Sequence, residues 1–332
     1  MGGSALDTKE RQRHPLNEWR REHPDALLEE WTRLCRNDRA RAESLINDPL
    51  LEFPVLFSLR SDLETRSFML NPRVQIVLDH TRNVLQSADL GIDNRASFAD
   101  QHDLVVHSLL WMLQTGWKNM LSTDYIQVID QTAIQILLTY QRDWLKGMTD
   151  LVVYRYKNRS QRHYLLSALL ETANPGCLVY IANYLLSGEK AESGYARRLL
   201  SFIPEVRHAP DHSSAFFAFE SWYEENEHYL VYTGETNDAV PGGRPFRIHY
   251  SAKYLGKTVG TRDGKPRQTL LPEEKKNYLD FLKLPRKAQA ALSGYSGHLR
   301  RQQPRIWQSW IRRPIRQQLA VLHMPHFRGE GV

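Results

Sequence analysis

Ile126-Gln127-Val128-Ile129-Asp130-Gln131-Thr132-Ala133-Ile134-Gln135-Ile136-Leu137-Leu138-Thr139-Tyr140, residues 126–140, carries the pattern that decides the fold class. Ile126, Ile129, Ala133, Ile136, Leu137 and Tyr140 recur three and four residues apart, which sets them on one face of an α-helix. Asp100 to Thr115 repeats the pattern with Leu104, Val105, Leu109, Met112 and Leu113. Such a stripe must be covered by a neighbour to leave water. The breaks that follow are short: Ser122-Thr123-Asp124, Asn158-Arg159-Ser160, Asn174-Pro175-Gly176 and Ser187-Gly188-Glu189 carry N-cap residues or a Gly/Pro stop. Phe98 to Phe202 therefore reads as a stack of amphipathic helices, and the rest of the chain is arranged around it.

Within that stack three segments look alike. Tyr164-Leu165-Leu166-Ser167-Ala168-Leu169-Leu170 and Tyr184-Leu185-Leu186-Ser187-Gly188 are followed by Tyr195-Ala196-Arg197-Arg198-Leu199-Leu200-Ser201-Phe202. Over this central third the chain resembles HEAT or armadillo-type helical repeat proteins. The resemblance implies paired helices stacking into a short α-solenoid, an architecture used for binding partners.

Bulk properties exclude several classes. A chain of 332 residues buries a core without disulfides or metals. Its longest apolar runs, such as Ala215 to Phe219, fall far short of the roughly 18 to 20 residues a membrane-spanning helix needs. Met1 to Glu10 lacks an apolar signal core, and Leu6 stands where a myristoylation pattern wants Ser or Thr, so a cytoplasmic location is expected. The two cysteines, Cys35 and Cys177, sit among apolar residues and are expected to be buried free thiols. Charge is divided: Val240 to Val332 holds 19 Lys and Arg against 5 Asp and Glu, and the remainder holds 25 against 33. The net +6 thus conceals an acidic body and a basic C-terminal region.

In chain order, the polar residues up to Arg13 are expected to fray, and His14-Pro15, His23-Pro24 and Asn71-Pro72 introduce helices. A polar connection over Asp89 to Ser97 leads into the stack. After it, Glu205 to Val240 contains eight acids against the single base Arg207, with Phe216, Phe217, Phe219, Trp222, Tyr223 and Tyr229 at helical spacing. A helix from Asp211 to Leu230 is expected, docked by its aromatic face. Thr233 to Leu271 is glycine-rich: Arg247, His249 and Ser251 alternate with Ile248, Tyr250 and Ala252 before the turn signal Asp263-Gly264, which predicts a β-hairpin with a loop as its competitor. The last helix, Gln303 to Leu322, places Trp307, Trp310, Ile311, Ile315, Leu319 and Leu322 on one side, with a kink at Pro314.

Familiar chemistry is missing. Gly256-Lys257-Thr258 lacks the earlier glycine of a phosphate-binding loop, where Ser251 stands instead. His208 and His212 are separated by Pro210, so Asp211 as a helix cap is the expected role rather than a metal pair. Glu224-Glu225 and Glu273-Glu274 read as solvated faces, because adjacent carboxylates on a helix point apart. No cofactor or metal is implied, and an enzyme is unsupported.

The strongest remaining signal is basic. Arg244, Arg247, Lys253, Lys257, Arg262, Lys265 and Arg267 are interleaved with Phe246, Tyr250 and Tyr254, a mixture suited to a phosphate backbone with stackable bases. Arg305, Arg312, Arg313 and Arg316 line the polar side of the last helix. Glu220, Glu224, Glu225 and Glu227 form the candidate acidic partner surface.

The expected fold is all-α: an irregular helical stack or short α-solenoid, a Gly-rich interruption and a basic C-terminal helical subdomain. The expected divisions are an N-terminal helical region at 1–97, the stack at 98–232, the basic loop or hairpin at 233–271 and basic helices at 272–332. The leading functional expectation is a non-enzymatic scaffold or protein-interaction protein whose acidic and basic segments pair either within the chain or head-to-tail between chains, the latter giving self-assembly. The alternative is a nucleic-acid-binding module, and a membrane surface ranks behind both.

Overall fold

The computed structural model describes residues 14–87, 102–236 and 243–322. The connection expected over 89–97 and the fraying expected up to Arg13 lie outside these. The fold is all-α apart from one two-stranded sheet among the described residues. Packing divides the chain into two units, Met1–Trp144 and Leu145–Val332, a division that falls inside the 98–232 stretch.

The first unit runs α1 (Pro15–Glu22), α2 (Leu27–Asn37), α3 (Arg39–Ile46), α4 (Phe53–Glu64), α5 (Pro72–Gln86), α6 (His102–Gly116) and α7 (Thr123–Gln135), ending in a π-helical turn, Ile136–Tyr140. Its helix starts follow from the sequence. Asn71 and Ser122 accept hydrogen bonds from the backbone N–H of Val74 and Tyr125, and prolines occupy the first turns of α1, α4 and α5. In its core Phe53 stacks on Tyr125 at 5.3 Å and Phe57 meets the same ring edge-on at 4.9 Å. Tyr125 donates to the Gly116 carbonyl at 2.8 Å, and a Cβ at position 116 would fall 2.6 Å from that hydroxyl. Only glycine fits there.

The second unit opens with α8 (Leu145–Lys157), α9 (His163–Glu171), α10 (Gly176–Asn183), α11 (Lys190–Leu199), α12 (Pro204–His208) and α13 (His212–Asn226). Three of the stack's expected breaks, Asn158-Arg159-Ser160, Asn174-Pro175-Gly176 and Ser187-Gly188-Glu189, fall at helix junctions here. Asp211 caps α13 by accepting from Ser214 N–H at 2.7 Å, as expected, and Ala215 and Phe219 are buried. That helix is shorter than expected: β1 (Leu230–Tyr232) follows and pairs antiparallel with β2 (Phe246–Ile248), Val231 lying opposite Arg247.

The expected hairpin within 233–271 is thereby corrected. Its alternation ends at Ile248, because His249 Nδ1 accepts from Ala252 N–H at 3.2 Å and starts α14 (Tyr250–Leu255). Gly256 ends that helix in the left-handed conformation, at φ 65°. The Asp263-Gly264 signal does make a turn, closed by a bridge between Val259 and Pro266.

The C-terminal helices are α15 (Pro272–Leu282), α16 (Arg286–Gln302), α17 (Pro304–Trp310) and α18 (Ile315–Leu322). Pro314 breaks the expected continuous helix rather than kinking it. The carbonyls freed at the break are satisfied: Asn277 and Gln318 side-chain amides both donate to the carbonyls of Ile311 and Arg313. The apolar side docks within the C-terminal helices, with Trp310, Ile311 and Ile315 buried against Tyr254, Phe281 and Leu292.

Candidate functional site

The basic residues separate into those that hold the second unit together and those that face water. Lys253 belongs to the first kind. It lies on α14 and is 5% exposed, with its ammonium donating to Glu225 Oε1 and Asn226 Oδ1, both at 2.8 Å. Arg301 on α16 approaches the same carboxylate at 3.6 Å. Burial alone would raise the Glu225 carboxyl, but the hydrogen bond and attraction to Lys253, with Arg301 adding, hold it below its ordinary value. Burial lowers the Lys253 pKa despite its partner. Removing one member of such a pair strands the other.

Three further candidates leave the open surface. Tyr254 is fully buried, stacked on Phe281 at 4.6 Å, and donates to Gln318 Oε1 at 2.8 Å. It cannot offer a face to a base. Tyr250 is half-buried against the same cluster. Lys257 is half-buried and meets Glu274 Oε1 at 3.1 Å, while Glu274 Oε2 accepts the Leu271 N–H at the start of α15. The expectation that Glu225 and Glu274 belong to solvated faces is corrected by the same contacts: tertiary packing brings a lysine to each.

Arg244, Arg247, Arg262, Lys265 and Arg267 are exposed. They lie on two ribbons that flank β1. Arg247 is on β2, and Tyr232 N–H on the other edge of β1 donates to the Thr261 carbonyl at 2.7 Å, which sets Arg262 beside it. Neighbouring strands lie about 4.8 Å apart, so the outer ribbons are separated by roughly 10 Å. Arg262 donates to the Glu171 carbonyl, which anchors its ribbon to the end of α9. The Arg244 N–H donates to Glu235 Oε2 at 3.1 Å. Arg305, Arg312, Arg313 and Arg316 are exposed around the α17–α18 break. Glu220 and Glu224 are exposed on α13; Glu227 is half-buried, with His228 at 3.5 Å from its carboxylate.

Sequence reasoning did not identify Asn226, Arg301 or Gln318, whose partners are 27, 76 and 64 residues away along the chain. Gly256-Lys257-Thr258 is a helix stop followed by an ion-paired lysine, not a phosphate loop. Among the described residues no group of three or more His, Cys, Asp and Glu is placed to hold a metal ion. No family model matches the chain, and no curated protein or solved structure matches it.

Proposed function

We propose that this chain is a non-enzymatic binding protein whose second unit holds a polyanion, nucleic acid being the class that its chemistry fits. One observation carries the reading: after Lys253 and Lys257 have found carboxylates inside the chain, the ribbons flanking β1 and the α17–α18 break still expose nine bases. Because Tyr254 is buried, little aromatic surface accompanies them. Binding should therefore rest on phosphate contacts and discriminate weakly between sequences. A cytoplasmic location belongs to this reading, supported by two buried free thiols and by the finding that no described helix is long and apolar enough to cross a membrane.

Fluorescence polarisation of a labelled duplex across a salt series tests it. The logarithm of affinity should fall linearly with that of salt, and Arg244→Gln with Arg247→Gln should reduce the slope by about 2, near 0.9 per phosphate contact. Absence of binding at low salt, or an unchanged slope, rejects it.

A protein-scaffold reading keeps support from Leu279, Leu282 and Ile306, large apolar side chains exposed by 58%, 48% and 53% on the C-terminal helices, and from the HEAT-like segments. Association through such a face would persist at high salt, where charge-paired assembly would dissolve. Glu225 is already engaged within the chain, so head-to-tail pairing would have to use Glu220 and Glu224.

A further inference from the structure

Two helix faces of the second unit match in pattern and oppose one another in charge. Beyond Pro272, the exposed residues of α15 are Lys275, Lys276, Leu279, Leu282 and Lys283 at its end, which share about a third of the helix circumference. Those of α13 are Ser213, Phe217, Glu220, Ser221 and Glu224, again on one side. We propose that the two faces bind each other between copies of this chain, α13 of one against α15 of the next. The inference rests on the protein-scaffold reading, to which it gives a partner, and it uses none of the bases assigned to the polyanion.

The apolar members of both faces are fixed in water. The far side of α15 is anchored by Phe281, buried and stacked on Tyr254, and by Asn277, which donates to the Ile311 carbonyl at 2.7 Å. Leu279 and Leu282 therefore cannot turn inwards. On α13, Ala215 and Phe219 are buried on the far side, and Phe217 is 66% exposed, the most of any large apolar side chain described. Phe216 meets its ring edge-on at 5.9 Å and braces it. Covering such groups removes apolar surface from water, which favours association.

Charge selects which faces meet. The exposed arc of α15 carries three lysines and no carboxylate, and that of α13 carries two glutamates and no base. Asp280, half-buried at the edge of the α15 arc, lies 3.0 Å from Lys283. Like faces repel, so α15 does not pair with α15 nor α13 with α13. Both faces stand exposed in one folded unit, so they do not meet within a chain. Head-to-tail contact between copies is what remains.

The spacing fits one orientation. Seven residues separate Phe217 from Glu224 and Leu282 from Lys275, two helical turns or about 10 Å in each case. Antiparallel apposition sets Phe217 on the Leu279–Leu282 pair while Glu224 meets Lys275, with Glu220 within a turn of Lys276. Parallel apposition over the same span would set Phe217 on Lys275 and Glu224 on Leu282. Two turns of each helix make a small contact, so the association is weak. Because it is heterologous, each copy keeps one face free and growth continues with concentration.

Sedimentation velocity of the full chain, freed of nucleic acid, tests the proposal at low salt between about 10 μM and about 1 mM. The average mass should rise with concentration. Glu220→Lys with Glu224→Lys, and separately Lys275→Glu with Lys276→Glu, should each weaken association at least about tenfold, and Phe217→Ser by about tenfold. These positions are exposed, so the variants keep the fold. Mixing the two charge-reversed variants should restore association, since each presents the charge that the other lacks. Association that neither reversal weakens, or reversed variants that stay apart when mixed, overturns this pairing and leaves the scaffold reading standing. A chain that stays monomeric throughout overturns both; if that chain sediments with phosphatidylserine vesicles, the α15 face belongs to an anionic membrane surface instead.

Discussion

Replacing Glu225 with Gln removes one charge and keeps the side-chain shape, so it isolates what the carboxylate does for Lys253. Lys253 is 5% exposed, and its ammonium would retain Asn226 Oδ1 at 2.8 Å but lose its counter-charge. At pH 7 the penalty has a ceiling, because the lysine can shed its proton instead; from an ordinary pKa of about 10.4 that costs about 4.6 kcal/mol. Breaking a buried pair costs about 3–5 kcal/mol, and the retained hydrogen bonds soften this, so about 3 kcal/mol is expected. Lys253→Met should cost less than about 1 kcal/mol, because methionine fills the apolar path of the lysine stem. The Glu225 side chain it leaves behind is 33% exposed and keeps Arg301 at 3.6 Å. Hydrogen exchange of peptides spanning 250–255 and 286–302 reads the difference, about thirtyfold in opening for 2 kcal/mol. Acid acts in the same direction. The folded Glu225 pKa lies below the ordinary 4.5, so its contribution is complete above about pH 4.5 and is lost as the pH falls through the folded value. Equal effects of the two substitutions, or a larger one for Lys253→Met, would refute the reasoning.

His80 is buried with Nε2 at 2.8 Å from Thr132 Oγ1, and burial pushes it down to about 4 from 6.5. The unfolded chain binds its proton first, so stability should fall by about 3 kcal/mol as the pH drops from 6.5 to 4, and urea midpoints of His80→Gln should be flatter over that window. Gly256→Ala should destabilise by at least about 1 kcal/mol, seen as a lowered thermal midpoint, since the residue sits at φ 65° and a Cβ there would fall 2.1 Å from Arg300 Nη1. Cys177 is fully buried, and burial pushes its thiol up to about 12; a thiol reagent should label it only as fast as the second unit opens, and rapid labelling of native protein would contradict its placement.

Much of the fold was legible because it is written in local spacing. The apolar stripe of residues 126–140, the caps Ser122 and Asp211 and the prolines that open helices act over three or four residues, and each appears where the sequence places it. The glycine-rich segment was harder. Arg247 to Ala252 alternates like a strand, but a histidine cap converts its second half into a helix, a competition that periodicity does not weigh. The continuous helix expected from Gln303 to Leu322 ended at Trp310, since a proline's effect depends on whether other side chains take up the carbonyls it frees.

The candidate site shows the boundary between the two kinds of information. Sequence alone determined that the chain is helical, that its charge is divided and that bases gather near its end, since these depend on residue type and short-range order. Only tertiary structure decided which bases face water. Lys253 and Arg247 look equivalent in sequence, yet one is held by a carboxylate 28 residues away and the other stands exposed on a strand. A charge acquires its role from what the fold sets against it, and that partner lies far away along the chain.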